Sequence, residues 1–131
     1  EVKSRRDIPV GPMCRATAEA LSTYRGDHAI MSFDPRVARW FARHSPDTLR
    51  GLVVTEEHSK GWYGDIKRRF SFFWGRAEFV ACDIRDLPSR FSSWSRRRDV
   101  PVLTWTVRTA ELARRARQWA DAPIAEGEGV L

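Results

Sequence analysis

Five apolar or β-branched stretches punctuate the chain, at residues 29–33, 51–55, 78–83, 101–107 and 122–125, with helix-like sequence between them. After the first stretch, Asp34 suits a helix N-cap and Pro35 the first helical position. Val37, Trp40, Phe41 and His44 then follow at i, i+3, i+4 and i+7, which predicts a helix whose buried face includes His44. Trp62, Ile66, Phe70, Phe73 and Trp74 recur at helical spacing between the second and third stretches, and Cys14, Ala18 and Leu21 do so ahead of the first. Leu87, Phe91 and Trp94 predict a shorter helix. Thr109 can cap a helix with an apolar stripe of Leu112, Ala113, Ala116, Trp119 and Ala120, leaving Arg114, Arg115 and Arg117 toward water or the stripe's edge. The Gly61/Gly64 region and Ser95 to Asp99 read as loops.

Connections that contain whole helices are too long for hairpins, so the alternation predicts a parallel α/β architecture. Glu1-Val2-Lys3 reads as the end of a further strand, with an acid and a base on one face. No glycine-rich dinucleotide loop follows any strand, which argues against a Rossmann arrangement. An eight-stranded barrel takes roughly 250 residues, so six strand-helix units in 131 residues would be a large part of one. The expected fold is an incomplete TIM (β/α)8 barrel, roughly the last six strand-helix units, with residues 1–131 forming part of one barrel domain. The abrupt start at Glu1 points the same way, and such a piece would expose strand edges that favour aggregation or dimerisation.

A composition of 42% hydrophobic and 31% charged residues is that of a folded domain and excludes a disordered chain. No apolar run approaches the roughly 20 residues of a membrane span. Cys14 and Cys82 lie outside any CxxC or Cys/His cluster, so they read as buried free thiols, and unpaired thiols point to the cytoplasm. A net charge of +6, from 23 basic and 17 acidic residues, favours anionic partners: phosphate esters, nucleic acid or acidic headgroups.

In a parallel barrel the chemistry sits at the C-terminal ends of the strands. Those positions hold Glu1 and Lys3, Ser32 and Phe33, Thr55 and Glu56, Asp83, and Trp105, Val107 and Arg108. A carboxylate beside a lysine suits a phosphoryl site in which Glu holds a hard divalent cation and Lys neutralises phosphate oxygens. Two charges on an exposed strand end are the alternative, and three residues alone favour it.

Glu1-Val2-Lys3-Ser4, Met31-Ser32-Phe33-Asp34-Pro35 and Val102-Leu103-Thr104-Trp105-Thr106-Val107, in this order and at these separations, resemble glycerophosphodiester phosphodiesterases. The segments from Phe79 to Pro88 and from Trp119 to Ile124 resemble bacterial members, so the likeness covers essentially the whole chain. It implies a metal-dependent hydrolase that converts a glycerophosphodiester to an alcohol and glycerol 3-phosphate, in lipid and glycerol metabolism. Carried over residue by residue, it makes Glu1 a ligand of a divalent metal (Mg²⁺ or Ca²⁺) and Lys3 a contact to the scissile phosphate. Phe33 and Trp105 would wall the glycerol pocket, and Asp83 is added from its strand-end position.

The family's two catalytic histidines and its Glu-x-Asp metal segment lie upstream of Glu-x-Lys, and nothing in this chain matches them. His28 precedes a strand, His44 falls on the apolar face of its helix and His58 lies in a loop, so they read as structural or solvent-exposed, with His58 alone a candidate for more. Without a proton-transfer pair the leaving group has no assistance, so the chain alone is expected to be inactive and to need the absent N-terminal units. A noncatalytic phosphate-binding barrel is one rival reading. A basic nucleic-acid module is another, supported by the six Trp and the Arg96-Arg97-Arg98 run; Trp residues on apolar helix faces weigh against it.

Overall fold

A computed structural model describes residues 1–130, apart from the side chain of Glu128. Five strands, β1 (Ala29–Ser32), β2 (Leu49–Val54), β3 (Phe79–Asp83), β4 (Val102–Val107) and β5 (Ala122–Ala125), alternate with helices. The helices are α1 (Gly11–Ser22), α2 (Pro35–His44), α3 (Trp62–Gly75), α4 (Arg90–Arg96) and α5 (Ala110–Trp119). The described chain forms two compact units: Glu1–Val53 with Phe70–Glu78, and Val54–Arg69 with the chain from Phe79 onward.

In the first unit β1 and β2 pair parallel, from Ala29 opposite Leu49 to Ser32 opposite Leu52. Val2 adds one backbone bond to Met31 O (2.8 Å), so Glu1-Val2-Lys3 runs beside β1 for a single contact rather than as a sixth full strand. The core gathers Val2, Cys14, Ile30, Val37 and Phe41, with Ala18, Leu21 and Trp40 packed around them. Each such large side chain taken from water contributes about 1.5–3 kcal/mol. From Arg50 to Val54 β2 is buried without alternation, as suits a strand covered on both faces. Buried Arg50 is satisfied by the carbonyls of Pro46, Thr48 and Arg76 and by Glu78 at 3.1 Å.

The second unit pairs β3 with β4 and β4 with β5, again parallel. Helix α5 packs on β4 and β5 through Ala113 and Ala116. Its cap is Thr109, as the sequence predicts, and Arg115 turns back to donate to Leu87 O. The predicted short helix resolves into a 3₁₀ turn (Ile84–Asp86) and α4, which starts at Ser89 through a reciprocal Ser89/Ser92 capping box.

Three expectations change. His44 is exposed and stacks on Trp40 (4.5 Å between rings), while Ala38 and Ala42 fill the buried face of α2. Gly64 belongs to α3, and Ser95 and Arg96 to α4, because their neighbours supply enough helical hydrogen bonds to extend both elements beyond the glycine and serine signals. Helix α3 forms as the periodicity predicts but faces the other way: Trp62, Ile66, Phe70, Phe73 and Trp74 are exposed, whereas Asp65, Arg68 and Phe72 are buried. Ion pairs explain how charged residues tolerate that inner face: Arg68 meets Glu56 (3.4 Å) and Arg69 meets Asp65 (2.6 Å).

Candidate functional site

In the first unit Glu1 and Lys3 lie on the segment beside β1, and Phe33 follows the end of β1. Alternation about buried Val2 sends Glu1 and Lys3 to the same side, and both are exposed. Ser4, the next residue, donates to Asp34 Oδ2 at 2.6 Å and so fastens this segment to the junction of β1 and α2. Phe33 lies one residue beyond β1, half exposed, next to that anchor. Asp34 caps α2 by accepting Arg36 N (2.9 Å) and also takes the Arg36 guanidinium through Nε and Nη2. Burial alone would raise the Asp34 pKa, but the hydrogen bonds from Arg36 and Ser4 outweigh it and hold the carboxyl below its usual range.

In the second unit Asp83 and Trp105 are register partners at the ends of β3 and β4. Asp83 is only 2% exposed and repeats the Asp34 arrangement: it accepts Arg85 N (2.9 Å) and the Arg85 guanidinium on both oxygens. Desolvation pushes its pKa up, but the Arg85 hydrogen bonds and charge bring it below the normal carboxylate value. The guanidinium it holds is 65% exposed and also lies 3.5 Å from Glu57. Asp83 therefore presents Arg85 rather than itself, and Arg85 is the cation of this strand end that sequence reasoning missed. The signal is legible in the sequence: Asp-x-Arg follows β1 after one residue, as Asp34-Pro35-Arg36, and begins at the last residue of β3, as Asp83-Ile84-Arg85.

Trp105 is half-buried, and its indole N–H donates to Ala81 O (2.8 Å). Beside it Thr104 donates to Cys82 O (2.9 Å). The β4–β5 register shifts between Thr104 and Val107, an irregularity of the kind that re-aims a side chain at a strand end. Asp86 accepts Glu56 N (2.7 Å) and Thr55 Oγ1 (3.3 Å), which ties the loop after β2 to the turn after β3. Cys82 lies beneath these groups, and burial first, then the charges of Glu56 and Asp86, push its thiol up to about 12.

His28 Nδ1 lies 3.1 Å from Gly26 O, His44 Nδ1 lies 3.0 Å from Trp40 O, and His58 is exposed in its loop. Among the described residues no three His, Cys, Asp or Glu side chains gather into a metal-ligating group. One exposed carboxylate, Glu1, is too small a donor set for a hard cation that takes six or more oxygens, so the residues present do not by themselves fit the divalent metal that the family likeness implies. None of the described helices is long and apolar enough to cross a membrane.

No family model and no curated protein matches this sequence. Solved structures do. A Silicibacter pomeroyi protein assigned as a glycerophosphoryl diester phosphodiesterase aligns over 91% of this chain and 41% of its own, at TM-score 0.73 and 18% identity. An Oleispira antarctica phosphodiesterase in complex with the product sn-glycerol-3-phosphate aligns over 86% of this chain and 44% of its own, at 0.64 and 16%. A glycerophosphodiester phosphodiesterase of Thermotoga maritima aligns over 85% and 48%, at 0.62 and 16%. The chain thus spans less than half the length of each. Parallel strands alternating with helices in this order are the fold of part of a TIM (β/α)8 barrel, the one these glycerophosphodiester phosphodiesterases share.

Proposed function

We propose that the chain is the C-terminal portion of one barrel domain of a glycerophosphodiester phosphodiesterase, and that it supplies the part of the site that contacts phosphate and glycerol. The observation that carries this reading is the agreement of fold over 85–91% of the chain with phosphodiesterases, one of them bound to sn-glycerol-3-phosphate. In this assignment Lys3 contacts the scissile phosphate, and Phe33 and Trp105 contact the glycerol moiety. Asp83 is taken up by Arg85, which it orients. Glu1 would contribute one carboxylate to a divalent cation, Mg²⁺ or Ca²⁺, whose remaining ligands must come from outside the described residues. The setting is bacterial lipid and glycerol metabolism, in the cytoplasm given two unpaired thiols.

The chemistry supports binding more than turnover. Exposed Lys3 can neutralise phosphate oxygens, and aromatic faces can cover a three-carbon backbone. The histidines, by contrast, lie against backbone carbonyls or in an exposed loop, so no imidazole pair stands ready to move protons. Incubation of the chain with glycerophosphocholine and Mg²⁺ or Ca²⁺ is expected to release no glycerol 3-phosphate above the EDTA control. Metal-dependent release by the chain alone would overturn this division of labour.

A further inference from the structure

Helix α3 turns its apolar face outward. Trp62, Tyr63, Ile66, Phe70 and Phe73 are 53–69% exposed and Trp74 is 38% exposed, and all six lie on one continuous helix. The stripe is therefore a property of α3 alone. Six large apolar side chains, four turns of helix and a buried polar face make a contiguous patch of the kind that soluble surfaces avoid unless something covers it. The patch is framed by positive charge. Lys60, Lys67 and Arg76 are exposed along or beside it, whereas Arg68 and Arg69 turn inward to Glu56 and Asp65. Lys67 lies among the exposed aromatics, and Arg39 stacks over the Trp74 ring at 4.6 Å.

The N-terminal half of α3 adds a second observation. Arg69 lines a cleft of about 530 Å³ with Asp65, Ser89, Arg90, Ser93 and Arg97, and a neighbouring cleft of about 420 Å³ is lined by Glu56, Trp62, Asp65, Arg68 and Arg90. Arg68 and Arg69 are held inside them by Glu56 and Asp65, which leaves Arg90 and Arg97 as the cations at their mouths. The exposed Arg90 and Arg97 at these clefts suit an anionic headgroup whose acyl chains continue along the aromatic face.

We propose that α3 is a peripheral docking helix that lays its aromatic face into the interfacial region of a bilayer containing anionic phospholipid. Trp and Tyr are favoured at that depth because they are apolar in body and polar at the tip. Lys67 can extend its ammonium back to the headgroups while its stem stays in the apolar layer. A protein partner fits less well, since interface cores are depleted in lysine. The docking face belongs to α3 and includes none of the strand-end residues assigned to phosphate and glycerol, so its test does not depend on activity.

Flotation with vesicles of phosphatidylcholine alone, or mixed with phosphatidylglycerol, tests the proposal. The protein is expected to float with the mixed vesicles, to be released by salt, and to stay largely unbound with the neutral ones. Ile66→Ser combined with Phe70→Ser should lower the partition coefficient at least about tenfold, with an unchanged circular dichroism spectrum. Lys60→Glu with Lys67→Glu, which leaves the aromatic face intact, should abolish the preference for anionic vesicles. Absence of binding to mixed vesicles, or equal flotation of wild type and the Ile66/Phe70 variant, would overturn the proposal. So would light scattering that shows a dimer dispersed by the same serine substitutions, because the face would then belong to a second copy.

Discussion

Replacing Asp34 by alanine removes a group that does two things at once. Its carboxylate caps α2 through Arg36 N and holds the Ser4 hydroxyl at 2.6 Å, one residue from Lys3. Loss of an Asp cap costs about 1 kcal/mol, and a part-buried hydrogen bond to a charged acceptor adds about another 1 kcal/mol. Arg36 also donates to the carbonyls of Arg5, Arg6 and Ile8, bonds that do not need Asp34, and is left out of the sum. Asp34→Ala should therefore lose about 2 kcal/mol in urea unfolding at neutral pH, and Ser4→Ala about half of that. The pH dependence carries a sign. The folded pKa of Asp34 lies below its unfolded value of about 3.9, so the stabilisation is fully present above that value. It is lost as pH falls through the folded-state pKa, and the gap between wild type and variant should narrow below about pH 4. A loss under about 0.5 kcal/mol at pH 7, or a gap that stays constant into acid, would refute the reasoning.

Helical glycine normally gains by conversion to alanine, by about 0.5–1 kcal/mol. Gly64 should do the reverse, because a Cβ there would lie 2.0 Å from Ser59 O and 2.5 Å from Ser59 Oγ; Gly64→Ala should lower stability by about 1–3 kcal/mol, and a raised melting temperature would contradict the close approach. Burial raises the Cys14 thiol to about 11 and the Cys82 thiol to about 12, so both remain protonated at pH 8. A thiol-disulfide reagent should label neither in the folded protein and both in urea, and rapid labelling without denaturant would show that the thiols are accessible.

Period and punctuation made most of the architecture legible. Runs such as Leu52-Val53-Val54 announce strands, Asp34-Pro35 and Thr109 announce helix starts, and intervening helices force parallel pairing. Period alone does not tell which side of a helix meets the core, and α3 shows the consequence. Its aromatic positions recur correctly, but Asp65, Arg68 and Arg69 find ion-pair partners that let the polar side turn inward. Asp65 and Arg69 pair at i and i+4 within the helix, but Arg68 depends on Glu56 in the preceding loop, and nothing local links the two. His44 is the converse case, since it shares the period of Val37 and Phe41 yet stacks on Trp40 in the open. At the candidate site, strand-end position named Asp83 and Trp105, and the structure shows that the two are register partners. It did not disclose that Asp83 is occupied by Arg85, because that depends on a guanidinium folding back two residues.

Titration of the chain with sn-glycerol 3-phosphate, followed by calorimetry or by amide chemical shifts, tests the assignment most directly. Saturable binding is expected, weakened at least about tenfold by Lys3→Ala, as loss of a charge-assisted contact to phosphate would require. Phe33→Ala and Trp105→Ala should also weaken it, with the fold intact by circular dichroism. Binding indifferent to all three substitutions, or no binding at millimolar ligand, would contradict the assignment of these residues to a phosphate and glycerol site.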